Sequence, residues 1–317
     1  MLKLSYIPSE GQSMNILMTG ATGFIGRHLM QRLQLENHTI KALSRNGKRA
    51  SQLLGVPAFD WDYATQDVPA EAMHDCQIII NLMGENLGDG RWTEARKHEI
   101  YASRILSTRK LIAVAPKNLQ AFVCGSAIGI YPGVGDELYD ESYTVPERLS
   151  FMQTLCHDWE QEAVRIEHSN VRRVSIRTGV VLGEGGMLKK LLPIFKLGLG
   201  GSVGDGRQWL PWIHIDDIVS VFCKAALDVR YQGPINAVSP SPVRYREFAT
   251  ALGKALRRPS YFPTPAFILK LVLGEAAALA LNSYHITPRR LLEDYNFRFK
   301  FNNLTAALND LFPATKS

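Results

Sequence analysis

Cysteine is scarce in this sequence, and the four that occur (Cys76, Cys124, Cys156 and Cys223) lie far apart. No two of them form a Cys-x-x-Cys pair, so the spacing excludes the common zinc and dithiol motifs. Three of them lie in or beside apolar segments. This usage predicts buried, reduced thiols in a cytoplasmic protein.

Long apolar runs are also missing. The most apolar stretch, residues 266–281, contains Lys270 and Glu275 and is too short to cross a bilayer comfortably. Residues 1–13 lack the apolar core of a signal peptide, and we expect them to be a leader that is disordered at its tip. These absences predict a protein without a membrane partner.

Clusters of like charge are absent as well. The net charge is +6, yet Lys and Arg are dispersed and no run of five or more cations occurs. We therefore expect a diffusely basic surface and no nucleic-acid partner, with a pocket for a polyanionic cofactor supplying part of the charge. Hydrophobic residues make up 46% of the 317-residue chain, enough for one large α/β domain or for one domain plus a smaller one.

The most informative stretch is NILMTGATGFIGRHL, residues 15–29, which predicts a strand, a glycine-rich turn and the start of a helix. Gly20 lets the strand turn sharply, Gly23 lets the backbone approach a pyrophosphate, and Gly26 lets the helix pack close to the sheet. The unpaired N–H groups at the helix start attract a phosphate. A plain tight turn would show the same glycines, but strand, turn and helix in this order favour a dinucleotide site.

The end of the second strand, residues 39–43, indicates which dinucleotide is bound. An acid at this position binds the 2′-hydroxyl of NAD, whereas an arginine and a small hydroxyl suit the 2′-phosphate of NADP. Here the strand leads into Ser44 and Arg45, and no Asp or Glu occurs between Thr39 and Gly47. The pattern favours NADP, although a solvated loop with ordinary cations would look the same.

A continuous apolar run, QIIINL at residues 77–82, predicts a buried parallel strand. It leads to Gly84, where a cofactor would pass. A helix is expected over residues 93–115, and on it Glu99 and Arg104 either form part of a solvated face or contact the cofactor. The apolar positions expected to face the sheet are Ile100, Leu106 and residues 111–114.

Two hydroxyl-bearing residues follow the fifth strand, residues 120–124. Ser126 is placed to hydrogen-bond a substrate carbonyl or hydroxyl over a nicotinamide, unless it only caps its own turn. Tyr131 lies nearby in sequence. Residues 132–150 are rich in Gly, Pro and acids and predict a long functional loop.

Alternating strand and helix patterns predict an α/β fold, a Rossmann-type doubly wound parallel sheet with a smaller C-terminal substrate lobe. We expect the dinucleotide domain over residues 14–185, with a return at about 212–238, and most of the substrate lobe over residues 186–312. The one histidine and two adjacent acids within residues 214–217 do not make a metal site, and Asp216 is expected to be a helix N-cap.

Several motifs together resemble a known family: TGATGFIG, NLMGEN, KLGLGG, WIHIDD and VSPSPV. They are similar to an atypical subgroup of the extended short-chain dehydrogenases/reductases, the "epimerase family", often labelled NAD-dependent epimerase or cell-division inhibitor. The resemblance spans residues 14 to about 312 and implies an NADP-binding Rossmann domain with a small substrate lobe. The residues implied to contact the cofactor are Gly20, Thr22, Gly23, Phe24, Ile25, Gly26, Ser44, Arg45, Leu82, Met83, Gly84, Glu99, Arg104, Thr178, Gly179 and Val180.

The chain departs from that superfamily in its catalytic motif. Standard members use Ser or Thr with Tyr-x-x-x-Lys, whose tyrosine exchanges a proton with the substrate oxygen. No Tyr-x-x-x-Lys occurs in this sequence, and Phe151 stands where the tyrosine is expected. A sugar-nucleotide epimerase with the standard mechanism is disfavoured by this absence.

Two functions therefore stay open for a monomer or homodimer. The first is an NADP-dependent oxidoreductase or epimerase for an unknown small carbonyl or hydroxyl compound, with Ser126 polarising the substrate and Tyr131 or a water acting as the acid. The second is a catalytically weak NADP-binding protein that senses redox state or scaffolds a partner.

Overall fold

The computed structural model describes residues 13–145, 150–169 and 171–313. Within them the chain alternates between strands and helices, as the sequence pattern predicts. The strands are β1 (Asn15–Thr19), β2 (Thr39–Ser44), β3 (Ala58–Asp60), β4 (Ile78–Asn81), β5 (Ala121–Ala127), β6 (Arg172–Thr178), β7 (Val180–Leu182), β8 (Trp209–Leu210), β9 (Trp212–His214), β10 (Gly233–Ala237) and β11 (Val243–Arg244).

Helices fill most of the connections between these strands. Short 3₁₀ segments follow β5, α5 and α9. The α-helices are α1 (Phe24–Leu35), α2 (Gly47–Leu54), α3 (Ala70–Met73), α4 (Glu94–Ala113), α5 (Phe151–Val164), α6 (Gly186–Lys196), α7 (Ile215–Leu227), α8 (Tyr245–Ala255), α9 (Ala266–Leu273), α10 (Ala278–Leu281), α11 (Arg289–Glu293) and α12 (Leu304–Leu311). Among the described helices, none combines the length and apolar character needed to cross a membrane.

Seven strands form one parallel sheet in the order β10-β6-β5-β4-β1-β2-β3. The strand order reverses between β1 and β4, so the crevice at their carboxyl ends is the place where such a sheet binds ligands. The expected doubly wound α/β fold is confirmed.

Apolar layers cover both faces of this sheet. Side chains alternate along a strand, so Ile16 and Met18 of β1 enter the layer formed with α1 and α7, whereas Leu17 enters the layer formed with α4 and α5. All three side chains are almost fully buried. The four cysteines are buried and free, as predicted.

After β6 the chain leaves the sheet and later returns to it. Residues 180–214 supply β7, α6, β8 and β9, and then β10 pairs with β6 at the edge of the sheet. A separate apolar cluster, which includes Phe195, Trp212 and Phe248, lies under α6, α8 and α12. The domain boundaries stated above stay a prediction.

Three of the positions on α4 that were expected to face the sheet are exposed instead. Leu106 is 37% exposed and Val114 is 44% exposed, and Ala113 is exposed as well. Each residue turns a helix by about 100°, so burial of Ile105 directs Leu106 away from the sheet. Val114 is the C-cap of α4 and lies beyond its last turn.

The cap of α7 also differs from the expectation. His214, not Asp216, is the N-cap, and its side chain accepts a hydrogen bond from the Asp216 backbone N–H at 3.1 Å. Asp216 lies in the first turn, where a carboxylate stabilises the positive end of the helix dipole. The expected leader, apart from Ser13, and residues 146–149 of the expected loop lie outside the described residues.

Candidate dinucleotide and substrate site

The glycine turn after β1 has the backbone geometry that its sequence predicts. Gly20 has φ +66°, and a Cβ there would lie 2.6 Å from the carbonyl oxygen of Leu82. A Cβ on Gly26 would lie 2.2 Å from the carbonyl oxygen of Gly20. These two glycines therefore allow the turn and the close packing of α1 against it.

Gly23 has a different environment from the other two glycines. Apart from its chain neighbours, the one atom of the described residues within 4 Å of a Cβ there is the carbonyl oxygen of Gly20, at 3.1 Å. Gly23 is also the N-cap of α1 and offers no side-chain cap. The first N–H groups of α1, at Phe24 and Ile25, are left for a phosphate, while Thr22 is exposed beside them. An open cradle of this kind fits a dinucleotide pyrophosphate.

The next strand of the crevice is tied to β1 by side chains. Thr19 donates a hydrogen bond to Asn81 at 2.6 Å, and the Met83 backbone N–H donates to both of these side chains at 3.2 Å. This arrangement fixes the segment Leu82–Gly84 against the glycine turn.

The end of β2 presents an exposed cation. The Arg45 side chain is 77% exposed, and its guanidinium lies 3.7 Å from the Glu85 carboxylate. The Ser44 hydroxyl accepts from the Asn46 backbone N–H at 3.3 Å. Because most of the Arg45 side chain faces solvent, its guanidinium is accessible to a phosphate at this edge of the crevice, beside the Glu85 carboxylate.

Arg104 lies directly behind the segment that follows β4. Its guanidinium donates to the backbone carbonyls of Ile100 and Glu85, both at 3.0 Å, and a Cβ on Gly84 would lie 2.8 Å from it. Burial lowers the pKa of Arg104 to about 10. Among the described residues, its guanidinium donates only to backbone carbonyls and lies over the Trp159 ring at 5.2 Å from the centroid, so this buried cation supports the segment after β4.

Glu99, also on α4, lies on a more open surface than Arg104. Its side chain is 58% exposed and pairs with Arg96 at 2.9 Å, and Arg96 also pairs with Glu85 at 3.2 Å. The structure thus connects Glu99 to the crevice through one arginine.

A cavity of about 170 Å³ opens between the sheet and the C-terminal lobe. The sheet side is formed by residues 127–129 at the end of β5 and by Thr178, Gly179 and Val180 where β6 passes into β7. A Cβ on Gly179 would lie 2.7 Å from the Pro211 carbonyl oxygen, so only glycine permits this approach. The opposite side is formed by Trp209 and by four residues of the C-terminal lobe: Leu279, Ala280, Asn282 and Tyr284.

Ser126 and Tyr131 lie behind this cavity in a buried hydrogen-bond network. The Ser126 hydroxyl donates to Glu160 at 2.7 Å, and Glu160 receives two hydrogen bonds from Arg177. The Tyr131 hydroxyl accepts from Arg177 at 3.0 Å and donates to Asn236 at 2.7 Å. Neither residue lines the cavity. Burial raises the pKa of Tyr131 well above its ordinary value.

Sequence reasoning missed several residues of the site. Arg177 gave a partial signal, because an arginine near the carboxyl end of a buried strand requires a buried partner such as Glu160. No sequence signal pointed to Trp209, Asn282 or Tyr284, because each comes from the C-terminal lobe and meets the sheet only in the folded chain.

The reversed strand order, the open glycine cradle and the cation after β2 define a Rossmann-type dinucleotide-binding protein. A family model for the NAD dependent epimerase/dehydratase family matches residues 16–237, and a model described as a domain of unknown function (DUF1731) matches residues 264–311. The chain belongs to this epimerase family, which confirms the family resemblance. The further expectation that this subgroup includes cell-division inhibitors stays a prediction.

Individual relatives match nearly the whole chain. The chloroplastic epimerase family protein SDR39U1 homolog of Arabidopsis thaliana is 36% identical over 304 residues, which cover 93% of this chain and 86% of that protein. The epimerase family protein YfhF of Bacillus subtilis is 33% identical over 96% of this chain and 100% of that protein. The crystal structure of human epimerase family protein SDR39U1 (isoform 2) with NADPH is similar at a TM-score of 0.84 and 33% identity, covering 94% of this chain and 99% of that one.

Proposed function

We propose that this protein is an NADP(H)-dependent oxidoreductase that acts on a small carbonyl or hydroxyl compound. The observation that carries the proposal is the adjacency of two sites: an open glycine cradle at the sheet reversal and a mostly apolar cavity at Thr178–Val180. A dinucleotide held by the first site would run along the carboxyl ends of the strands toward the second.

The choice of NADP rests on the end of β2. Arg45 is exposed there and Ser44 precedes it, while no carboxylate follows β2 before Gly47. A guanidinium forms charge-assisted hydrogen bonds with a phosphate, and an acid at the same place would repel it. NADPH is also the ligand of the human relative.

The bound cofactor supplies a hydride. The residues of the chain orient the substrate and donate a proton to its oxygen or accept one from it. Ser126 and Tyr131 are the candidate catalytic residues from the sequence. In this structure they connect to one another through Glu160 and Arg177, so they act on a substrate only if it displaces part of this network. This placement favours a role for the pair in shaping the cavity wall.

The proposal is tested by measuring NADPH oxidation with a panel of small aldehydes and ketones. If the wild type reduces a compound and the Ser126→Ala variant reduces it more slowly, the Ser126 hydroxyl has a role in turnover. Equal turnover by the two proteins excludes that role. Absence of NADPH oxidation with the whole panel, in a protein that binds NADPH, would reject the oxidoreductase function.

The same placement favours a second candidate function, an NADP-binding sensor or scaffold. The hydroxyls of Ser126 and Tyr131 are both engaged by buried partners, and no Tyr-x-x-x-Lys pair exists in the sequence. Tight NADPH binding without turnover of any carbonyl compound is the result that this function predicts.

A further inference from the structure

The lining of the cavity is mostly apolar and carries no formal charge among the described residues. Its residues include no Asp, Glu, Lys, Arg or His among the described part of the chain. Most are apolar, such as Leu87, Ile128, Met152 and Leu279. A charged group placed here would lose its hydration without gaining a counter-ion, which is strongly unfavourable.

The size of the cavity sets a second limit on its ligand. Its volume is about 170 Å³. An apolar cavity of roughly 150 Å³ holds a ligand of the size of benzene. The space therefore fits a ring or short chain with one polar function and is too small and too apolar for a nucleotide sugar.

Among the described residues that line the cavity, Tyr284 alone has a titratable side chain. Its hydroxyl accepts a hydrogen bond from the Asn282 amide at 3.3 Å. Among the described residues, no group accepts the proton of that hydroxyl. A phenol both donates and accepts, so the O–H of Tyr284 is available to a ligand in the cavity.

The position of Tyr284 is fixed by its neighbours. Its backbone N–H donates to the Trp209 carbonyl at 3.2 Å, and the adjacent Ser283 N–H donates to the Gly133 carbonyl at 2.9 Å. Gly133 has φ +72°, and a Cβ there would lie 2.9 Å from the Tyr284 ring. The phenol is therefore held between β8 and the loop after β5, opposite Thr178–Val180.

We infer that the cavity binds an uncharged, largely apolar ketone or aldehyde and that Tyr284 is the proton donor to its oxygen. This inference rests on the proposed oxidoreductase function and gives it a substrate class. In the reduction, the C=O π bond breaks while the carbonyl carbon receives the hydride that NADPH supplies. The oxygen takes the Tyr284 proton, the carbonyl compound becomes an alcohol, NADPH becomes NADP⁺, and a proton from water restores the phenol.

The contrast with Tyr131 supports the assignment. The Tyr131 hydroxyl donates to Asn236 and accepts from Arg177, both inside the sheet layer. Tyr284 instead borders the cavity and has one donor, Asn282, placed to stabilise the phenolate oxygen after proton transfer.

The substrate class is tested with two ketones of the same shape, acetophenone and 4-acetylbenzoate, which differ by one carboxylate. We expect a kcat/KM for NADPH-dependent reduction at least tenfold higher for acetophenone. Equal or better turnover of 4-acetylbenzoate would overturn the assignment of the cavity to uncharged substrates.

The proton donor is tested with Tyr284→Phe, and Tyr143→Phe is the matched control. Tyr143 belongs to the same apolar cluster but does not line the cavity. Tyr284→Phe should lower kcat at least 100-fold, as loss of a general acid does, with an unchanged Kd for NADPH. It should also weaken acetophenone binding to the NADP⁺ complex roughly threefold to tenfold in calorimetry. Retained turnover overturns the role of Tyr284 as proton donor, as does a similar loss of kcat in the control; a loss of kcat confined to Tyr284→Phe supports it.

The pH profile gives an independent readout. Burial raises the pKa of Tyr284 above its ordinary value of 10.0, so the wild-type reduction rate should stay constant through neutral pH and fall only above about pH 10. A rate that falls already between pH 6 and 9 contradicts this donor.

The two proposals fail in different ways. If the wild type oxidises no NADPH with either ketone, the oxidoreductase function is rejected. Calorimetry with the NADP⁺ complex still decides the cavity assignment: acetophenone binding that weakens in Tyr284→Phe supports it, and absence of binding overturns it.

Discussion

The guanidinium of Arg177 on β6 holds the carboxylate of Glu160 on α5 through two parallel hydrogen bonds, 2.8 Å and 2.9 Å long. Both side chains are less than a tenth exposed. Burial alone would lower the pKa of Arg177, but the hydrogen bonds to Glu160 raise it above its ordinary value. The pair joins the sheet to its covering helix directly behind the cavity.

Breaking this pair should destabilise the protein strongly. Arg177→Met leaves a buried carboxylate without a counter-ion, and we expect the free energy of unfolding to fall by about 3–5 kcal/mol. Urea unfolding followed by circular dichroism measures the change. Arg230→Met breaks an exposed pair with Asp228 and should change little. A loss for Arg177→Met as small as that of the control would show that Glu160 finds other partners.

Arg45 should determine the preference between the two nicotinamide cofactors. Arg45→Ala removes the guanidinium expected to meet the 2′-phosphate, so the affinity for NADPH should fall about tenfold while that for NADH stays the same. Thermal shift with each cofactor measures this, and Arg258→Ala, an exposed cation after α8, is the control. Equal shifts by NADPH and NADH in the wild type would refute the choice of NADP.

Two glycines of the turn should respond differently to the same substitution. Gly23→Ala places a methyl group in the open cradle, so NADPH affinity should fall at least tenfold, about 1.4 kcal/mol, with a small loss of stability. Gly26→Ala forces a Cβ to within 2.2 Å of a carbonyl oxygen and should cost about 2 kcal/mol of stability or more. Calorimetric titration and urea unfolding of both variants separate the effects. The prediction fails if Gly26→Ala is the more stable of the two.

His214 should make stability depend on pH. Burial lowers its pKa below the ordinary value of 6.5, although Asp216 and Asp310 act to raise it and Lys300 lowers it further. The unfolded chain therefore takes up a proton first, and stability should fall as the pH drops from about 6.5 toward the lowered value. Urea midpoints at pH 7.5 and 5.0 test this.

The matched variant for this measurement is His214→Asn, because asparagine keeps an N-cap oxygen for α7 without a titratable group. The difference in stability between wild type and variant should shrink or reverse at pH 5.0 relative to pH 7.5. A difference that is the same at both values would assign the pH dependence to other groups.

The sequence allowed the sheet and the glycine turn to be predicted because both depend on local pattern. A β-branched run such as Ile78–Ile80 specifies a buried strand by itself, and Gly20 specifies its turn through a φ of +66°. The α/β fold, the cofactor class and the family follow from such segments.

The substrate side of the site could not be predicted in the same way. Tyr284 reaches the cavity only because its backbone pairs with Trp209 and its neighbour pairs with Gly133, more than 140 residues earlier in the chain. The cap of α7 shows the same limit on a smaller scale: the helix begins at Ile215, which makes His214 the N-cap and places Asp216 in the first turn, and such a two-residue shift of a helix start is not encoded by the residue pattern.

The return of β10 to the edge of the sheet has a consequence for biosynthesis. β6 exposes one edge until residues 233–237 leave the ribosome, although residues 180–214 have been made by then. At about 5–20 residues per second this edge stays open for several seconds. Nascent chains that stall between β6 and β10 carry an unpaired edge strand, which makes this interval the vulnerable period for aggregation and for chaperone capture.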